Sequence, residues 1–236
     1  MDLVSEYNGT GVLLHFPEYL GAYTRGKNEA EAVYKAPDEL KAYTAWAKLP
    51  MPDKKVHMIH RVRAKENLQI SDADSEILLD CDTSRFDEID FDKWCGLSIF
   101  SARCVAELYD SINDKEWAQP EKMRPTFYGK TPSTATEMLM HIDQVSGYYL
   151  SRIGIKADFE KGKLIENRER CMELLHESYA ARPFNLFECD GEYWTESKVL
   201  RRYLWHDRLH AKAMFRHGIK SGMSVNELNN PFHFSV

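Results

Sequence analysis

Two histidines spaced for metal binding are the residues of this chain whose chemistry stands out first. His206 and His210 lie four residues apart in WTESKVLRRYLWHDRLHAKAMFRHG, residues 194–218. Side chains at this spacing on an α-helix project from adjacent turns toward one point, as two ligands of one metal ion require. With nine histidines in 236 residues, chance gives roughly 0.3 such pairs. The pair therefore needs a third ligand elsewhere in the chain.

The helix that must position this pair has recognisable ends and one apolar face. Thr195 is a suitable N-cap, and Trp194 and Val199 are placed for a hydrophobic staple. The helix is predicted to end at Gly218, and His217 just before it is interpreted as a partner of the helix dipole rather than as a further ligand. A buried imidazole without a partner costs roughly 1–3 kcal/mol. The histidine pair is therefore either a metal site or a set of hydrogen-bonded core residues.

The composition is that of a folded protein without covalent cross-links. The chain is 43% hydrophobic, which suffices for one large or two small domains. Five cysteines, an odd number without CxxC spacing, predict free thiols rather than a disulfide framework or a zinc knuckle. The sequence contains neither a basic-then-apolar signal segment nor a run of about 18 apolar residues. We therefore expect a cytoplasmic protein without a membrane span.

The net charge of −6 is concentrated in one segment. Residues 65–92 contain two basic and ten acidic side chains, whereas residues 1–64 contain nine basic and eight acidic ones. A segment with so much charge of one sign is typical of a solvated connector or an acidic sheet edge. We therefore predict a domain boundary there, with an acidic connector at residues 73–91.

Residues 1–72 are predicted to form a small α/β domain. The predicted strands cover residues 11–16, 22–25 and 56–64. Asn28, with Glu31 three residues later, predicts a helix N-terminus. This helix should end near Trp46, and Pro37 must kink or divide it.

The same region resembles a known family. VLLHFPEYLGAYTRGKNEAEAVYKAPDELKAYTAWAKLPMP, residues 12–52, is similar to the small β-β-β-α-β domain of the HicB-like family through its FPxxxGxxTxG turn signature. The resemblance implies binding of a protein partner or of RNA. Near-neutral charge and the lack of a following helix-turn-helix pattern argue against nucleic acid. A structural accessory or dimerisation domain is the alternative interpretation.

Residues 92–236 are predicted to form a four-helix bundle, which makes the whole chain an α+β protein. Thr134 and Glu137 form a capping-box pattern, which opens a helix with His141 at the edge of its apolar face. The predicted helices cover residues 92–113, 134–153, 164–180 and 195–218.

This half of the chain resembles the DinB-like bundles. TPSTATEMLMHIDQVSGYYLSRIG is similar to their second helix with its single histidine, and WTESKVLRRYLWHDRLHAKAM is similar to their HxxxH helix. The closing NNPFHF is similar to a common family ending. The resemblance implies a divalent-metal site formed by His141, His206 and His210. It also implies transfer of a low-molecular-weight thiol, such as bacillithiol or mycothiol, to a small electrophile, and pairing into a homodimer.

Three neutral imidazoles would leave an open coordination position, as in catalytic rather than structural sites. Zinc or nickel suits such ligands, with iron a further candidate. Nearby Asp143 or Asp207 is a candidate to orient a ligand ring. A metal-dependent hydrolase and a metal-stabilised scaffold with a partner-binding N-terminal domain are the alternatives to the transferase. No GxSxG, Walker A or GxGxxG motif supports serine-hydrolase or nucleotide chemistry.

Overall fold

A computed structural model describes residues 1–52, 57–84, 86–118, 125–126, 129–181 and 185–235. The protein is a mixed α+β structure, with a small sheet near the N-terminus and a helical C-terminal part. Within the described part of the chain, no helix is both long enough and apolar enough to span a bilayer.

The N-terminal sheet has four strands in the order β3-β2-β1-β4. These are β1 (Asp2–Tyr7), β2 (Val12–His15), β3 (Tyr23–Gly26) and β4 (Met58–Arg63). β2 pairs antiparallel with both β1 and β3, whereas β4 pairs parallel with β1. The second and third strands confirm the pattern prediction. The last predicted strand is shorter than expected, and residues 53–56 lie outside the described residues. The pattern had assigned no residues to β1.

Because β4 runs parallel to β1, the chain must cross over the sheet before it enters β4. Two helices between β3 and β4 form this crossover. These are α1 (Glu29–Tyr34) and α2 (Ala36–Ala47). The Asn28 side chain accepts a hydrogen bond from the Glu31 amide at 2.9 Å, which confirms the predicted N-cap. Pro37 lies in the first turn of α2, where its missing amide hydrogen costs nothing. The predicted division of the helix at this proline is therefore confirmed.

Among the residues that the structure describes, the helical part contains four long helices. These are α4 (Glu88–Asp110), α5 (Ala135–Ser151), α6 (Leu164–Ala181) and α7 (Glu196–Lys220). α4 and α5 each pack against both α6 and α7. The short elements are α3 (Asp80–Thr83), the hairpin β5 (Pro125–Thr126) with β6 (Gly129–Lys130), and the hairpin β7 (Phe187–Cys189) with β8 (Glu192–Trp194). Pro120 and Pro183, which the sequence placed in loops, lie outside the described residues.

Two predicted helix boundaries are wrong. α4 starts at Glu88 rather than near residue 92, because the Asp87 side chain caps it by accepting from the Asp90 amide at 2.8 Å. α7 continues past Gly218 to Lys220. Gly218 is buried, and a Cβ there would lie 2.7 Å from Leu228. The glycine therefore permits close packing rather than ending the helix.

The acidic segment is only partly solvated, which corrects the expectation from its charge. Asp82 is 1% exposed and accepts two hydrogen bonds from Arg201 of α7, at 2.7 and 2.6 Å. Ile70 and Leu79 are buried as well. A carboxylate that is paired with a guanidinium can be buried, which composition alone does not reveal.

The N-terminal sheet and the bundle pack closely against each other. The main apolar core contains residues from both, and the ring of Trp46 in α2 lies 5.3 Å from that of Phe232 near the C-terminus. A second apolar cluster joins Tyr23 of β3 to Trp205 of α7, with ring centroids 5.9 Å apart. The predicted domain ranges remain a prediction, since the two parts share one core.

Candidate metal centre

His141 is positioned by the well-capped N-terminal half of α5. The Thr134 hydroxyl accepts from the Glu137 amide at 3.1 Å, and the Glu137 carboxylate accepts from the Thr134 amide at 3.3 Å. This capping box confirms the prediction and fixes the start of the helix. Ile142 and Met138 on α5 are buried, and His141 lies partly buried at the edge of this apolar face.

His206 and His210 are positioned by α7. The Thr195 hydroxyl accepts from the Lys198 amide at 3.0 Å, which confirms the predicted N-cap. Tyr203 is fully buried on the face that α7 turns toward α5, and its hydroxyl donates to the Ser146 carbonyl at 2.5 Å. This hydrogen bond joins α7 to α5, the two helices that carry the three histidines.

The structure brings the three predicted histidines together. Their ring centroids are 5.0 Å apart for His141 and His206, 4.8 Å for His141 and His210, and 4.4 Å for His206 and His210. One nitrogen from each ring lies within 4.8 Å of the other two. Nitrogens bound to one tetrahedral zinc ion are about 3.4 Å apart. Small side-chain rotations would therefore bring all three to ligand distance, so the cluster could hold a metal ion.

The electrostatics of the cluster favour neutral, metal-binding imidazoles. His206 is 5% exposed, and its Nδ1 has no hydrogen-bond partner within the described part of the chain. Burial, followed by the neighbouring His210 and His141, holds the pKa of His206 well below its ordinary value. Burial also lowers the pKa of His141. Neutral imidazole is the form that binds a metal ion, and low pKa values keep these rings neutral at pH 7.

The three histidines open onto a large cleft, with a volume of about 1340 Å³. Residues of α5 and α7 form one side of it, including Tyr148, Tyr149 and Trp205, and the Tyr149 ring centroid lies 6.0 Å from that of His206. Its wall is formed by the N-terminal region and the acidic segment, including Tyr23, Arg25 and Ser75. An open cleft beside the cluster leaves room for a ligand on a bound metal, which a closed structural site would not.

The two aspartates considered as partners of a ligand ring have other roles. The Asp207 carboxylate accepts two hydrogen bonds from Arg168 at 2.7 and 2.8 Å, and both side chains are fully buried. The Asp143 carboxylate accepts from the Asn167 side chain and from the Gly162 amide, both at 2.7 Å. Both carboxylates are therefore used to fasten α6 and the loop before it to the neighbouring helices.

Three further histidines lie outside this cluster. His217 is buried, with its ring 5.2 Å from that of Trp117. His15 is also buried, and its Nε2 lies 2.9 Å from the Glu6 carboxylate. His176 is partly exposed and pairs with an aspartate of α4.

The five cysteines are free, as the sequence predicted. Burial raises the pKa of Cys95 to about 12 and that of Cys104 to about 11, so both are unreactive thiols at neutral pH. Cys189 is the cysteine that lines the cleft, and the Arg152 guanidinium donates to its sulfur at 3.1 Å.

Arg202 also lines the cleft, and the sequence analysis did not single it out. Arg202 lies one turn before His206 on α7, and its guanidinium carbon is 4.4 Å from the centroid of the Trp205 ring. The i, i+4 spacing from His206 was the available signal. This spacing alone does not predict a functional residue, because most arginines on a helix are solvated.

No protein family, curated protein or solved structure matches this chain. The DinB-like and HicB-like resemblances therefore stay predictions. The functional argument rests on the site.

Proposed function

We propose that the protein is a divalent-metal-dependent enzyme of the DinB-like type, which transfers a low-molecular-weight thiol to a small electrophile. The observation that carries the proposal is the convergence of His141, His206 and His210 on one side of the cleft. Zinc or nickel is the expected metal, with iron a further candidate, because imidazole suits all three.

A divalent ion held by the three rings would supply Lewis acidity that lowers the pKa of a coordinating thiol or water. The three histidines are neutral ligands, so they leave the charge of the ion undiminished. Tyr148, which is 44% exposed and lines the cleft, would bind the electrophile through its ring. Holding both reactants in one cleft supplies the remaining rate enhancement by proximity.

The position of the N-terminal region supports an enzyme over a metal-stabilised scaffold. Tyr23 and Arg25 of β3 and Glu39 of α2 line the same cleft as the histidines. A domain that only recruits a protein partner would not need to form a wall of the metal site. We propose that this region encloses the substrate, and that any protein partner binds elsewhere on it.

The metal proposal is tested by binding to the apo protein. Elemental analysis of protein purified without a nickel column should give about one divalent ion per chain. Isothermal titration should show one strong site that His206→Ala abolishes. The matched control is His176→Ala, since His176 lies outside the cluster at a partly exposed ion pair. Unchanged affinity in His206→Ala would remove the site assignment.

The transferase proposal is tested with a screen of thiols against a chlorodinitrobenzene. The sulfur forms a bond to the ring carbon, chloride leaves with the electron pair of the broken bond, and the thiol proton passes to the buffer. Bacillithiol, mycothiol, glutathione and cysteine should be compared with and without chelator. If no thiol is consumed faster than in the chelated control, the hydrolase or scaffold alternative is favoured.

No protein nucleophile is needed in this scheme. Replacing all five cysteines, including Cys189 in the cleft, should leave transferase activity intact, provided that circular dichroism shows a folded variant. Loss of activity in a folded variant that still binds metal would instead implicate Cys189. We also propose that the protein is a homodimer, and light scattering at high micromolar concentration tests this against the 27.5 kDa chain mass.

A further inference from the structure

Five lysine and arginine side chains of α7 are buried or partly buried, and four of them pair with a carboxylate among the described residues. Each of four basic side chains lies within 4.0 Å of an acidic one. The pairs are Lys198 with Glu192, Arg201 with Asp82, Arg208 with Glu39, and Lys212 with Glu39. Among the described residues, Arg202 has no such carboxylate. Arg202 is partly buried, and a cation that loses part of its hydration without gaining a counterion requires an explanation.

The surroundings of Arg202 hold its guanidinium in place without neutralising it. One terminal nitrogen donates to the Ser75 carbonyl at 2.8 Å, whereas the buried Nε has no partner in the described part of the chain. The guanidinium carbon lies 4.4 Å from the Trp205 ring centroid and 5.7 Å from that of Tyr149. Ring stacking and a neutral carbonyl orient the group, and its positive charge remains available.

The Arg202 guanidinium and the three histidines line the same cleft. Arg202 lines the cleft together with His206, which follows it by one helical turn. Side chains at this spacing are neighbours on the helix surface. A small molecule bound at the histidines would therefore meet this guanidinium with a group only a few bonds from its metal-binding atom.

We propose that Arg202 is the counter-charge for a carboxylate of the substrate, so that the cleft selects small carboxylate-bearing ligands over neutral ones. This inference rests on the proposed metal-dependent function and specifies its substrate class. A guanidinium binds a carboxylate through charge-assisted hydrogen bonds, which are among the strong ones in proteins. One guanidinium beside the histidines matches a monoanion better than a phosphate dianion, because the neighbouring Lys198 on α7 already has Glu192 as its partner.

The test uses the cobalt(II)-loaded full chain, whose visible absorption reports a thiol binding to the metal. The probes are 3-mercaptopropionate and its methyl ester, which share the metal-binding sulfur and differ in the carboxylate. We expect the carboxylate to bind about tenfold or more tightly than the ester. Arg202→Gln should reduce this ratio to about one, with the metal stoichiometry unchanged, and Arg202→Lys should keep part of it.

Arg216→Gln is the control, because Arg216 lines the same cleft from α7 but is exposed and several turns away from Arg202. It should leave the ratio near the wild-type value. Equal affinities of the two probes for the wild-type protein overturn the inference even if Arg202→Gln fails to fold. A preference that survives in Arg202→Gln also overturns it.

Two further outcomes distinguish a failure of the carboxylate subsite from a failure of the proposed metal function. Cobalt binding without a carboxylate preference leaves the metal function standing and removes this subsite, whereas absence of cobalt binding removes both. Competition by inorganic phosphate that is stronger than competition by propionate would show that the subsite takes phosphate instead, against the inference.

Discussion

The polar groups on the two sides of α7 differ in whether they have partners from the chain. Toward α4 and α6, Asp207 is fully buried and forms two hydrogen bonds with Arg168. Toward the cleft, His206 is 5% exposed with an unpaired Nδ1, and Arg202 lacks a carboxylate among the described residues. We call the side with the Asp207–Arg168 pair the paired side of α7, and the side with His206 and Arg202 the open side.

Asp207 and His206 illustrate two ways in which a fold accommodates a buried polar group. Where both partners come from the chain, the cost of burial is offset within the fold, and the pair fixes how the helices pack. Where one partner is missing, the fold retains a cost that a ligand can remove. Burial alone does not distinguish the two cases, since Arg168 and His206 are both buried.

The largest expected effect comes from breaking the ion pair on the paired side of α7. Arg168→Met leaves the Asp207 carboxylate buried without its partner, so we expect a loss of about 3–5 kcal/mol in the free energy of unfolding. Urea denaturation measures this loss. The double variant with Asp207→Leu should recover much of it, because no charge is then left in the interior. Arg103→Met, at an exposed ion pair with Glu169, is the control and should change stability by less than about 1 kcal/mol.

On the open side of α7, binding of a metal ion should instead stabilise the folded protein. At a free zinc concentration of about 100 times Kd, binding to the folded state alone adds about 2.7 kcal/mol to the free energy of unfolding. Thermal denaturation with and without zinc should show the corresponding rise in Tm, and His206→Ala should show none. A zinc-dependent rise that persists in His206→Ala would place the ion outside the histidine cluster.

A paired carboxylate at the surface gives the smallest effect. Hydrogen bonds from the Ser133 amide and hydroxyl lower the pKa of Glu137 from 4.5 to about 2. Its folded-state pKa is depressed, so its stabilisation is present above about pH 4.5 and is lost as the pH falls toward about 2. Glu137→Gln should cost about 1 kcal/mol or less at pH 7, since the side chain is partly exposed.

The pH dependence of that variant tests the same assignment. The stability difference between wild type and Glu137→Gln should shrink as the pH falls through this window, as measured by urea titrations at several pH values. A difference that stays constant down to pH 2 would show that the carboxylate charge does not contribute to the cap.

The sequence predicted those parts of the fold and site that depend on local chemistry. The Thr195 cap, the Thr134–Glu137 capping box and the break at Pro37 each involve residues within one helical turn. The histidine pair was visible for the same reason, because its spacing is a property of one helix. The addition of His141 came from the DinB-like resemblance, and the structure places its ring beside the pair.

The remaining features depend on contacts between segments far apart in the chain. The pairing of Asp82 with Arg201 spans 119 positions, and that of Glu39 with Arg208 spans 169. No local pattern indicates which acidic residue will meet which basic one. For the same reason the sequence could not show that Arg202 has no carboxylate partner among the described residues, or that the N-terminal region forms a wall of the cleft.

The two-part construction of the cleft also bears on how such a protein can diversify. The metal ligands lie on α5 and α7, whereas much of the opposing wall belongs to β3, α2 and the acidic segment. Substitutions in the wall can therefore alter which molecules enter while the ligand set and its chemistry stay fixed. Insertions between β3 and α2 would be a direct way to engineer new substrate preferences on an unchanged reactive centre.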